Sequence, residues 1–168
     1  KGLRVADANA LKFTKKVSAQ TTGALSLSRD GSLLAAIHLP DRGAVQSARR
    51  AKQPLPAGKL VIYNTAGLTE EASFAVSANA FDVVLSPSGD RVYVLVPHEG
   101  SVYIHRPDGT LIEQLRLAEK DTMLSKLSLS PDGKTLVVPA TGPEASWLNE
   151  VDLAGVRSPE NRVLRGEF

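Results

Sequence analysis

Leu127-Ser-Leu-Ser-Pro-Asp-Gly-Lys-Thr-Leu136 is the stretch that decides the fold. Apolar residues alternate, a serine follows, Gly133 closes a tight turn, and a second apolar run begins. Alternation marks a half-buried strand, and a glycine after Asp or Ser supplies the positive φ that a short connection demands, so the segment reads as a β-hairpin. The pattern occurs twice more, as Leu25-Ser-Leu-Ser-Arg-Asp-Gly-Ser-Leu-Leu34 and as Val83-Val-Leu-Ser-Pro-Ser-Gly-Asp-Arg-Val92. The repeat serines Ser28, Ser86 and Ser130 stand 58 and 44 residues apart. An interval in the low forties accommodates four short strands with their turns, which is one blade of a β-propeller.

Working outward from the hairpins, a third and a fourth strand follow in the same order. Lys59-Leu-Val-Ile-Tyr63 and Ser101-Val-Tyr-Ile-His105 fill the third place, while 72–76 and 110–117 fill the fourth. In the last repeat, 147–153 and 162–164 take these places less cleanly. Leu3-Arg-Val-Ala-Asp7 and 11–17 read as the outer strands of a preceding blade. The expected division is therefore outer strands over 1–22, a blade over 23–78 with an inserted loop at 40–58, a blade over 79–118, and a less regular blade over 119–168. That is an all-β chain of about three and a half four-stranded antiparallel blades, a partial or half propeller, seven blades being a common ring. Three explanations of its openness stand side by side: a fragment of a longer propeller, pairing with a second copy or partner chain, or further blades too degenerate to read. The one helix candidate is 117–124.

The 168 residues are 42% hydrophobic, so a domain core needs no disulfide or metal staple, and the absence of cysteine removes thiolate metal sites and thiol nucleophiles. A net charge of +2 is too mild for a dedicated nucleic-acid binder. No apolar run reaches the roughly 20 residues of a membrane-spanning helix.

The Ser-Pro-Asp-Gly hairpin at Ser130–Gly133, the stretch Leu85-Ser-Pro-Ser-Gly-Asp-Arg-Val-Tyr-Val-Leu95, and Pro107-Asp-Gly-Thr-Leu111 together resemble the bacterial YVTN and Tol-associated propeller repeats. The first hairpin departs from that signature with Arg29 in place of Pro, and the second with Ser88 in place of Asp. The Trp-Asp dipeptide of the WD-repeat propellers is absent. The resemblance implies a WD-like bacterial repeat protein and a periplasmic or otherwise exported location. It leaves activity open, since one fold hosts many functions.

Candidate chemistry is sparse. The hairpin Ser, Asp and Gly residues read as turn formers. His38 and His98 follow their turn glycines by seven and nine residues, which places both near the end of a second strand, where two imidazoles on neighbouring blades would share a ligand. Asp82 and Lys126 begin inner strands at aligned positions facing the channel mouth, either paired or holding a small polar ligand. The insertion at 40–58 gathers Arg42, Arg49, Arg50 and Lys52 against Asp41 alone, and paired arginines grip carboxylates or phosphates through two parallel hydrogen bonds. Phe81, Tyr63, Tyr93 and Tyr103 are expected to pack between blades. No phosphate-cradling glycine loop or cofactor motif is present, so no cofactor is expected. Two function classes follow: a non-enzymatic module presenting its loop face to a protein or anionic ligand, and part of a propeller enzyme of the lactonase or quinoprotein-dehydrogenase kind with most catalytic residues elsewhere. A third, structural reading closes the ring from two copies.

Overall fold

The computed structural model describes residues 3–7, 12–119 and 122–155. Strands β1 (Arg4–Asp7) and β2 (Lys12–Lys16) form a two-stranded antiparallel ribbon. The first blade consists of β3 (Thr22–Leu27), β4 (Leu33–His38), β5 (Gly58–Asn64) and β6 (Thr69–Val76), paired antiparallel in that order. The second repeats the order with β7 (Asp82–Leu85), β8 (Val92–Val96), β9 (Ser101–His105) and β10 (Leu111–Arg116). In the third sheet β11 (Met123–Leu124) and β12 (Ser128–Leu129) both pair with β13 (Thr135–Thr141), which pairs in turn with β14 (Ser146–Asp152). The expected place of a further strand at 162–164 lies outside the described residues.

The hairpin turns confirm why Ser, Asp and Gly recur. Gly31, Gly89 and Gly133 all adopt φ of +73°. Each repeat serine accepts a hydrogen bond across its turn, from Leu33 N to Ser28 Oγ at 2.9 Å, Arg91 N to Ser86 Oγ at 3.0 Å and Thr135 N to Ser130 Oγ at 2.9 Å. Each serine hydroxyl donates in turn to Asp30, Asp90 or Asp132. In the second blade the aspartate has moved one residue past the glycine without losing this bond. The hydroxyls of Ser28 and Ser32, with the Ser32 amide, hold the Asp30 carboxyl down at about 2.

Second strands lie between two neighbouring layers, which is why Val92–Val96 is apolar without interruption and buried throughout. Leu60, Ile62, Val83 and Val94 fill the space between the first and second blades, and Leu95, Ile104, Leu124 and Leu136 that between the second and third. The Phe74 and His105 rings meet across the first boundary at 5.0 Å. Burying each such side chain contributes about 1.5–3 kcal/mol. Two hydrogen bonds tie inner strands across layers: Leu85 N donates to Ser26 Oγ at 3.0 Å, and Leu127 N to the Asp82 carboxylate at 2.9 Å. At the turn end, the Arg29 guanidinium donates to the Pro131 carbonyl at 3.3 Å, so turns 102 residues apart converge. The sheets therefore curve about an axis instead of stacking flat.

Three expectations are corrected. The insertion is not an irregular loop, because α1 (Arg42–Arg50) occupies its first half. Asp41 caps that helix by accepting from Ala44 N at 3.0 Å, and Arg49 and Arg50 sit in its last turn, where the helix dipole favours positive charge. The helix expected over 117–124 is not formed by its described residues. Leu117 and Ala118 instead donate their amides to the Gly100 carbonyl at 2.8 and 3.1 Å, and Met123–Leu124 is strand. Lys126 does not begin an inner strand as expected, because that strand is broken into Met123–Leu124 and Ser128–Leu129 with Lys126 between them. Ser125 N donates to the Pro139 carbonyl at 3.2 Å, but Pro139 has no N–H to return, so the ladder lapses there.

Candidate functional site

Antiparallel register sorts the molecule into two ends. Thr22 pairs with His38 and Asp82 with Leu95, so the starts of β3 and β7 share one end with the connections that leave β4 and β8. The first of those connections carries α1, and the second is a single 3-10 turn, Pro97–Glu99. A cleft of about 980 Å³ opens at this end where four sheets meet, with Leu3, Ala24, Leu39, Phe81, Asp82 and Lys126 on its walls. A second cleft of about 830 Å³ lies between the second and third blades, bordered by Asn79, Phe81, His98, Arg116 and Met123.

The residues singled out in the sequence are distributed as follows. Asp82 is buried at the mouth, and its carboxylate accepts the Leu127 amide of the next blade. Lys126 is exposed on the same cleft and makes no ion pair with it, so the expected pairing is replaced by a cap on a neighbouring strand. His38 is buried, with Nε2 at 3.0 Å from the Tyr63 hydroxyl and Nδ1 at 3.3 Å from Thr22 Oγ1. Both ring nitrogens are thus engaged inside one blade. His98 stands exposed on the rim of the second cleft, so the two imidazoles do not form a shared site. Among the described residues, no group of three His, Cys, Asp or Glu side chains is arranged to hold a metal ion.

Burial, reinforced by the nearby Lys59 ammonium, lowers the His38 pKa below its usual 6.5. Burial also lowers that of His105. In each case the unfolded chain takes up a proton at a higher pH than the folded one, so stability is complete above about pH 6.5 and is lost as pH falls below it. Thermal unfolding followed by circular dichroism is expected to show a midpoint that drops between pH 7 and pH 5. His38→Gln, which keeps a hydrogen-bonding side chain, should flatten that slope, and an unchanged slope would show that His38 does not carry it.

Arg42, Arg49 and Arg50 are exposed on α1, with Lys52 just beyond it at φ +52°. None of the four has a carboxylate partner among the described residues, and the one nearby acid, Asp41, is committed to the helix cap. No residue of α1 is buried. Spacings of four, three and one residues put Arg42, Gln46, Arg49 and Arg50 on one side of a helix of 3.6 residues per turn.

Two features escaped the sequence. Phe81 does not pack between blades as expected, being 59% exposed between both clefts, and Met123 is 66% exposed on the second. Their place at the start of inner strands was the available signal, since that position faces the channel mouth. The other is a polar tie: Glu99 accepts from the hydroxyls of Ser77, at 3.1 Å, and Tyr103, linking the end of one blade to the next. The carboxylate, together with burial, pushes the Tyr103 hydroxyl up to about 12.

No protein-family model and no curated protein sequence matches the chain. Solved structures do. The chain is similar to the Dos1 propeller, with a TM-score of 0.70, 12% identity, and coverage of 98% of this chain and 39% of that one. It is similar to the Myceliophteria thermophila Cps50 (Swd1) β-propeller domain, with a TM-score of 0.66, 13% identity, and coverage of 98% and 48%. Kuenenia stuttgartiensis hydrazine synthase gives a TM-score of 0.66 at 20% identity, with coverage of 95% and 42%. At these identities the likeness shows the fold alone: the chain is part of a β-propeller and spans less than half of each of these structures. No helix among the described residues is long and apolar enough to cross a membrane.

Proposed function

We propose that the chain is part of a non-enzymatic propeller module that presents its connection end to an acidic protein or other anionic ligand, and that another chain or domain completes the ring. The observation that carries this reading is the row of uncompensated guanidinium groups on α1, at the same end of the sheets as the channel mouth and on a helix that buries none of its own residues. Exposed charges of one sign speed encounter with a complementary surface and add hydrogen bonds once it docks. Arginine suits carboxylates in particular, because its planar fork binds both oxygens together.

Binding of a fluorescent deca-glutamate peptide tests this. Affinity is expected to weaken with added salt, and R49E/R50E is expected to reduce it about tenfold or more, two reversed contacts at about 1 kcal/mol each. The melting temperature should fall by no more than a few degrees, because nothing buried is touched and only charge at the helix C-terminus is reversed. Equal binding by the native chain and R49E/R50E, or binding indifferent to salt, would contradict the reading.

A further inference from the structure

The two faces of the first blade are unlike. Towards the second blade, Ala35, Ile37, Leu60 and Ile62 are buried in a continuous core. On the opposite face, Ala36, Val61 and Tyr63 are covered by Leu3 and Val17, which flank the β1–β2 ribbon, yet the inner strand on that same face is bare. Leu25 is 49% exposed and Leu27 59%, although both alternate with the inward-packed Ala24 and Ser26. The cover thus stops halfway across the blade.

The ribbon's place explains where it stops. Five residues separate β2 from β3, as five separate β6 from β7, so β2 corresponds to an outermost strand and β1 to a third strand. What such a sheet lacks is its inner pair. The turns register the same gap independently. A Cβ on Gly89 would lie 2.9 Å from Leu33 of the preceding blade, and one on Gly133 would lie 2.8 Å from Pro87 of the preceding blade. Gly31 has the same φ of +73° and nothing within 4 Å. The slot that a preceding turn fills for the other two is open.

We infer that the face formed by Leu25, Leu27 and Gly31 is a docking surface for one two-stranded hairpin of the chain's own repeat pattern, which lies inward of β1, covers both leucines and seats its turn against Gly31. The hairpin carries alternating apolar residues, the Ser and Gly turn, and a fully apolar second strand, because those are the features that let β7–β8 cover the first blade from its other side. A second copy does not supply it without opening one of its own sheets, since its corresponding strands are already paired there. The occupant is a segment of this repeat pattern other than the paired hairpins described above, in keeping with the coverage of less than half of each similar structure. The inference rests on the arc being an incomplete ring and is independent of the anionic-partner reading.

The chain has no cysteine, so Leu27→Cys places a single thiol on the face. Synthetic peptides spanning 82–96 and 127–141 serve as probes, and the rate of maleimide labelling is the readout. At a hundred times its dissociation constant, a docked hairpin is expected to slow labelling about 100-fold. Leu25→Lys in the same chain should abolish the protection, while R49E/R50E should leave it intact, which separates failure of this inference from failure of the other. If neither peptide slows labelling at millimolar concentration, or if protection survives Leu25→Lys, the inference is overturned.

Discussion

Replacing Gly100 by alanine is expected to cost about 2–5 kcal/mol of folding free energy. Gly100 ends the Pro97–Glu99 turn at φ +61°, a left-handed conformation that costs an L-residue about 1–2 kcal/mol. Space is the larger obstacle. A Cβ there would fall on the Ala118 carbonyl, well inside the 3.0 Å that real Cβ atoms respect. That carbonyl cannot retreat easily, because Ala118 and Leu117 are themselves held by their amides on the Gly100 carbonyl. Forcing atoms into such a packed site adds about 1–3 kcal/mol. Against a net stability of about 5–15 kcal/mol, the sum removes a large part of the folding free energy. Gly31→Ala is the internal control. It has the same need for positive φ but nothing within 4 Å, so only the backbone cost of about 1–2 kcal/mol should appear. Chemical denaturation of both variants checks the pair, and equal losses would mean that the Ala118 contact is not as close as described.

Leu95→Ala is expected to cost about 2–5 kcal/mol. Leu95 is fully buried in β8, in the cluster that joins the second blade to the third, so its removal opens a cavity between layers that are already sheets and collapse poorly. Leu27→Ala, at 59% exposure, should change stability by no more than about 0.5 kcal/mol in the same chain. Urea midpoints measure both. A large loss from Leu27→Ala would mean that the face described as open is covered.

What was legible in the sequence was what is local. Each hairpin is specified within about ten residues by alternation, a serine, an acid and a glycine, and the bonds among Ser28, Asp30 and Leu33 span no more than five. Third and fourth strands followed from period. The helix α1 carried its own local signal, with Asp41 as cap and Ala44 and Ala48 inside, but Pro40 before it and Pro54 and Pro56 after it made the segment read as irregular. Proline after a helix ends it without forbidding it. Non-local facts were out of reach. Asp82 read as a channel-facing charge because its partner, the Leu127 amide, lies 45 residues away. His38 read as a ligand because nothing in its neighbourhood announces that Thr22 and Tyr63 will occupy its nitrogens. Phe81 read as core because aromatic residues beside strands usually are. Only the curvature of the sheets leaves it on the rim.

The channel mouth and the open face both depend on the three sheets curving about one axis. Paired spin labels at Arg29→Cys and Pro131→Cys measure that curvature directly, since the chain has no other thiol. The Arg29 guanidinium reaches the Pro131 carbonyl at 3.3 Å, so the labels should report a separation within the span of one arginine side chain and show strong dipolar broadening. Sheets stacked flat would hold the two turns about 20 Å apart, at about 10 Å per layer. A distance near that value would contradict the propeller arc.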